Sequence, residues 1–317
     1  MKHDAITTTV VLSGTFGQER SEAHVGAETL REAKRNATLA SGAKKLVSYA
    51  LLTIGAITMV LPFLWMVTTS LSKPGSFSMW SVKAKWWEGW LPLNFEWKNY
   101  LEACRVVPLA KFYLNSLFVT IATTLGQVST SAMAGYAFAR LHFWGREKLF
   151  FAYLATMMIP GAVTMIPVFI LLRHLGWVDT YKALILPGMF TAYGTFMLRQ
   201  FFMTLPRDLE DAAKIDGCSL FGIFIKIILP LSKPALATLT TFTFMGSWMN
   251  FMWPLVVTTS EEKFVLTVGL AYFQSLYATN WTLLMAGSVM MTAPIILLFI
   301  LNQRFFVEGI KLSGIKG

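Results

Sequence analysis

Residues 205–234, LPRDLEDAAKIDGCSLFGIFIKIILPLSKP, form a polar island between long apolar runs, and their types and spacing suit a docking surface. Leu205, Leu209, Ala212 and Ala213 recur at helical spacing, with charge on the opposite side. Gly217 is placed to end that short helix in the left-handed conformation glycine adopts freely. A second apolar-faced segment covers 221–229 and stops at Pro230. Two small alanines let another protein's backbone come close. The competing reading is an amphipathic helix lying on lipid headgroups. Catalytic chemistry has no comparable cluster. His3, His24, His142 and His174 are scattered, and Cys104 and Cys218 offer neither a disulfide nor a metal framework. No Gly-x4-Gly-Lys-Ser/Thr loop is present to cradle a nucleotide's phosphates. The sequence thus assigns this chain no catalytic, cofactor-binding or metal residue.

The elements that must position this island are membrane helices. The 317 residues are 55% hydrophobic and only 14% charged, against about a quarter charged in soluble domains. Mean hydropathy is +0.55. Each helical crossing needs roughly 20 apolar residues. Six spans fit, at about 46–71, 112–139, 149–172, 183–202, 235–258 and 281–301. Pro62, Pro160, Pro167 and Pro187 fall inside them, as neighbouring helices permit. The expected fold is therefore all-α: a polytopic bundle over 46–301, with tails at 1–45 and 302–317. Loops at 73–111 and 203–234 lie on opposite faces. In the tail, 27–45 suits a surface helix, and no apolar run of signal-peptide length follows the basic start.

The net charge of +10 does not indicate nucleic acid, because the charges are dispersed between apolar runs. Lys and Arg number 18 on the side of both termini and the island, and nine on the other. The positive-inside bias puts both termini and the island in the cytoplasm. No Asp or Glu falls within an expected span, and no charged residue at all lies between Phe264 and Gln303. Ion-coupled carriers keep costly intramembrane charges for function. The energy for transport is therefore expected from a motor on another chain. An ion-coupled secondary carrier is the alternative.

The island resembles the cytoplasmic loop of ABC-importer permeases, whose pattern is Glu-Ala-Ala, three residues, Gly, nine residues, Ile-x-Leu-Pro. Here Asp211-Ala212-Ala213, Gly217 and Ile227-x-Leu229-Pro230 keep the spacing, with Asp211 in the Glu position and Glu210 beside it. Gly135-Tyr136-Ala137-Phe138-Ala139-Arg140, Ile166-Pro167 and Trp253-Pro254-Leu255 resemble the maltose-type permeases. So do the runs 175–181 (LGWVDTY), 303–309 and 314–317. The likeness is to the carbohydrate branch of type I ABC importers, in its second-subunit form, and extends from about residue 46 to the end.

That resemblance implies an inner-membrane permease pairing with a second permease subunit to form a pathway for a carbohydrate. Two ATPase subunits, which carry the ATP and Mg, would grip the cytoplasmic loops, and an extracytoplasmic solute-binding protein would deliver the sugar. Glu210, Asp211, Ala212, Ala213 and Gly217 would be the ATPase-docking residues. Tyr193, Gln200, Trp248, Asn250, Phe251 and Trp253 are the candidate pathway residues, since aromatic faces and amides suit sugar rings and hydroxyls. Trp80, Trp86, Trp87, Trp90 and Trp97 could stack on sugars or brace a partner; Trp also favours the membrane interface. Lys83, Lys85 and Lys98 beside them suit an acidic oligosaccharide such as an alginate fragment, an acidic binding-protein surface, or a merely solvated loop.

Overall fold

The computed structural model describes residues 42, 44–73, 95–274 and 279–314, with side chains as far as Gln303. Expectations for residues 1–41, for Trp80, Trp86, Trp87 and Trp90, and for Lys83 and Lys85 lie outside the described residues. The chain divides into two units, residues 1–65 and 66–317. Of the first, helix α1 (Lys44–Ser70) is described up to its boundary at Trp65; residues 44–64 are exposed, and Pro62 does not interrupt the helix.

The second unit opens on the last turn of α1. Ahead of α2 (Lys98–Val106), Trp97 is exposed and stacks on Tyr100, with centroids 6.2 Å apart. Asn99 donates its side-chain amide to the carbonyls of Ser70 and Ser72, both at 2.8 Å. Next comes α3 (Leu109–Arg140), whose 32 residues at 1.5 Å each span about 48 Å, more than a bilayer core of about 30 Å. It has a hydrophobic cluster towards each end. One joins Leu109, Phe112 and Val119 to Leu266, Val268 and Leu284; the other joins Ala132, Tyr136 and Ala139 to Leu198, Phe202 and Ile223.

Helix α4 (Arg146–Ala155) runs into a 3-10 turn, Thr156–Met158, and the chain bends by 100° before α5 (Gly161–His174). Pro160 marks that break, whereas Pro167 is accommodated inside α5. Helix α6 (Tyr181–Ile185) is capped by Thr180, whose hydroxyl accepts from the Ala183 N–H at 3.4 Å. A 3-10 turn with Pro187 precedes α7 (Ala192–Thr204). Then come α8 (Asp208–Ile215), α9 (Leu220–Ile223), a π-helical turn over Phe224–Ile228 and α10 (Leu229–Leu231). The π turn precedes Pro230, which has no N–H to return to the Lys226 carbonyl. After an 80° bend follow α11 (Lys233–Trp248), α12 (Met252–Val257), α13 (Leu266–Ala271) and α14 (Trp281–Gly314).

No strand occurs among the described residues, in line with the all-α expectation. Among the described residues three helices are long and apolar enough to cross a membrane, or up to five if each bent pair is one span. The six expected spans meet these helices with breaks that have physical causes. The expected span 183–202 is interrupted by the Pro187 turn and by extended backbone at Phe190 and Thr191. The one at 235–258 ends at Trp248, and its remainder is the short α12. At the other end α14 continues through the expected tail to Gly314.

Candidate functional site: a clamped docking helix and an uncharged cleft

Helix α8 has eight residues, of which only Glu210 and Ala213 are buried. They are three apart, so they share one helix face. The apolar line anticipated from spacing is therefore split: Ala213 is buried and Leu205 half-buried, whereas Leu209 and Ala212 face outward. Leu209, Ala212 and Ile215 lie exposed, Ile215 to 87%, while a carboxylate points inward. The cause is Arg140, the last residue of α3. Its Nε lies 2.8 Å from Glu210 Oε1, with side chains only 5% and 6% exposed. Its Nη2 donates to the carbonyls of Phe202 and Leu205, both at 2.6 Å. Paired charge is the only form in which such groups are tolerably buried. Ala213 completes the inward face and sits with Tyr136, Ala139 and Phe202.

Asp211, in contrast, is exposed and pairs with Lys214 at 2.8 Å. The hydrogen bond and the charge of Lys214 hold its carboxyl below the usual carboxylate range. The structure thus separates the two carboxylates that sequence left equivalent: Glu210 turns inward, Asp211 outward.

Gly217 has φ +79° and ends α8 in a Schellman turn. Cys218 N–H donates to the Ala213 carbonyl at 2.9 Å and Gly217 N–H to that of Lys214 at 3.0 Å. A Cβ on Gly217 would meet nothing within 4 Å, so backbone conformation alone requires glycine there.

A second charged tie lies beside the first. Arg199, buried in α7, donates from Nε to the Phe138 carbonyl at 3.2 Å and pairs with Glu147 at 3.0 Å. Its guanidinium carbon sits 4.0 Å from the centre of the Phe150 ring. Helices α3 and α7 come close because Gly135 has no side chain; a Cβ there would lie 3.1 Å from the Arg199 backbone nitrogen.

Further along α3 a cleft of about 940 Å³ opens among α3, α5, α7, α11 and the segments around α6 and α12. Of the six anticipated pathway residues it gathers Tyr193, Asn250 and Trp253. Gln200 and Phe251 are exposed outside it. Trp248 belongs to the core, donating its indole N–H to the Met291 carbonyl at 2.9 Å and stacking on Phe244. Thr123, Gln127, Thr243 and Ser247 line the cleft as well, and among the described residues no lining residue is charged. The hydroxyls of Thr123 and Thr243 are buried without a hydrogen-bond partner among the described residues. Sequence reasoning passed over the α3 contributors, yet a signal existed. Ser116, Thr120, Thr123, Gln127 and Thr130 recur at helical steps, making a polar stripe along an apolar span.

The described residues thus form a multi-helix membrane protein with a polar cleft and a helix fastened at one end of α3 by buried charge. The chain belongs to the binding-protein-dependent transport system inner membrane component family, whose profile matches residues 127–311. It falls in the carbohydrate branch of the type I ABC importer permeases, and the ion-coupled alternative gives way to that membership. It is 43% identical over 203 residues to the arabinooligosaccharides transport system permease protein AraQ of Halalkalibacterium halodurans, covering 64% of this chain and 73% of that one. It is 30% identical over 271 residues to the lactose transport system permease protein LacG of Rhizobium radiobacter, covering 86% and 96%. Its fold matches a chain from the crystal structure of a bacterial ABC transporter involved in the import of the acidic polysaccharide alginate. That match has a TM-score of 0.73 and 24% identity, and covers 82% of this chain and 95% of that one.

Proposed function

We propose that this chain and a second permease subunit enclose the translocation pathway of an ATP-driven carbohydrate importer. In this reading two ATPase subunits, carrying ATP and Mg, engage the cytoplasmic island; a solute-binding protein delivers the sugar from the opposite face. Both termini are cytoplasmic, and the α4–α5 pair, α7 and α11 join α1, α3 and α14 to make six crossings. The carrying observation is α8 itself. It buries only Glu210 and Ala213, and offers Leu209, Asp211, Ala212 and Ile215 on an open face ended at Gly217. Exposed apolar side chains rimmed by charge are what a partner protein covers.

The cleft supports a sugar as cargo. Trp253 and Tyr193 offer aromatic faces, and Thr123, Thr243, Gln127 and Asn250 offer hydroxyls and amides. That lining carries no cation, which favours a neutral oligosaccharide over an acidic one such as an alginate fragment.

The test is ATP hydrolysis and sugar uptake in proteoliposomes holding this chain with its partner permease and ATPase subunits. Binding protein would be added with an arabino-oligosaccharide, lactose or an alginate oligomer. Loaded binding protein should stimulate hydrolysis, and Ala212→Arg, on the open face, should abolish the stimulation while insertion stays normal. Hydrolysis indifferent to the binding protein and to Ala212→Arg would sink the docking reading.

A further inference from the structure

We propose that Arg140 is a positioning residue of the transport cycle. It fastens the docking helix α8 to α3, so that displacement of α8 by an ATPase subunit moves the helix that lines the cleft. This inference rests on the docking reading above.

Helix α8 has two inward attachments. Ala213 presents a methyl group, which can slide across its neighbours. Glu210 Oε1 lies 2.8 Å from Arg140 Nε in a nearly closed site, a contact of opposite charges and not an aligned hydrogen bond. That pair cannot separate without leaving a buried charge unpaired. The same guanidinium takes the carbonyls of Phe202, in the last turn of α7, and of Leu205, in the connector to α8. One side chain therefore joins the end of α3, the end of α7 and α8. Burial also protects the joint from the salt that screens the exposed Asp211–Lys214 pair.

From Arg140 the push has a continuous path. Helix α3 is unbroken from Leu109 to Arg140. Gln127 and Thr123 stand 13 and 17 residues before Arg140, about 20 and 26 Å along the axis at 1.5 Å per residue. A rigid displacement at one end is therefore delivered to the cleft wall.

The test is the amount of sugar imported per ATP hydrolysed in the reconstituted complex, with co-purification of the ATPase subunits as a separate readout of docking. Arg140→Gln should retain the ATPase subunits while the ratio falls about tenfold, the size of an ordinary coupling energy. The double variant Arg140→Met/Glu210→Met replaces the buried pair by apolar volume. It should unfold at the wild-type temperature yet show the same low ratio. A structural role alone would lower import and hydrolysis together and leave their ratio intact, so a wild-type ratio in the Met/Met protein overturns the proposal. Failure of the docking reading is a different result: Ala212→Arg would then keep its ATPase subunits and its stimulation.

Discussion

At its N-terminal end α3 is held by neutral groups. Asn115 donates to the carbonyls of Glu262 and Phe264, both at 2.9 Å, and accepts from the Tyr181 hydroxyl at 2.8 Å. Ser116 accepts the Leu266 N–H at 2.7 Å. At the C-terminal end the tie of α3 is ionic, Arg140 to Glu210, and beside it Arg199 of α7 pairs with Glu147 of α4. The difference follows what is being fastened. An amide satisfies the backbone of a loop whose shape must be kept, at a modest net gain per bond. A buried guanidinium–carboxylate pair adds little net stability, but it is costly to break from one side. It suits a joint that is loaded and must not slip.

The largest test of this contrast is stability. Removing one member of the inner pair, as in Arg140→Gln, should cost roughly 3–5 kcal/mol, whereas the Met/Met double variant should be close to neutral. Thermal unfolding in detergent would show it; a single variant as stable as wild type would erase the distinction between the two ends. At the neutral end, Asn115→Ala leaves two carbonyls and the Tyr181 hydroxyl short of a partner, about 1–3 kcal/mol for each group that stays unsatisfied. Amide exchange across residues 262–266 should quicken, with little change around α8. Exchange that rises equally at both ends would mean α3 is one undivided unit.

Next in size is Gly217→Ala. With open space around a Cβ, only the left-handed conformation is penalised, by about 1 kcal/mol. Gly217→Asn should recover part of it, since Asn tolerates that conformation. Equal losses in both would point to a close partner contact instead of backbone strain.

These same residues show what could be read from the sequence. The start and stop of α8 are local: helical spacing over 205–213 and a glycine at 217 are enough. Its orientation is not local, because the charge that draws Glu210 inward is Arg140, on a helix that ends before α4 begins. Tyr193, Asn250 and Trp253 were recognisable as cleft residues by type, but Trp248 has the same chemistry and packs in the core. Thr123 and Thr243 escaped notice because hydroxyls are unremarkable in apolar helices, where they return bonds to earlier carbonyls. Here they return none. Pro187 was visible too, yet whether a proline bends or breaks a membrane helix depends on neighbours that one segment does not contain.

The smallest effect expected is a pH dependence confined to the neutral end, centred on Asp179. This residue lies in the left-handed region at φ 63°, and its Oδ1 accepts the N–H groups of Thr259 at 2.9 Å and Ser260 at 3.0 Å. Partial burial by itself would raise its carboxyl; the Ser260 and Thr259 donors outweigh that and hold it below its usual value. A carboxyl depressed on folding adds stability above its unfolded pKa, near 4, and loses it as pH falls through the folded one. Unfolding temperature should therefore drop below about pH 4, and Asp179→Asn should flatten that part of the curve. Asn preserves an acceptor oxygen and tolerates the left-handed backbone, so the variant should stay folded at neutral pH. An acid limb of the same slope in Asp179→Asn would move the titrating group away from this loop and leave the neutral end of α3 indifferent to protons.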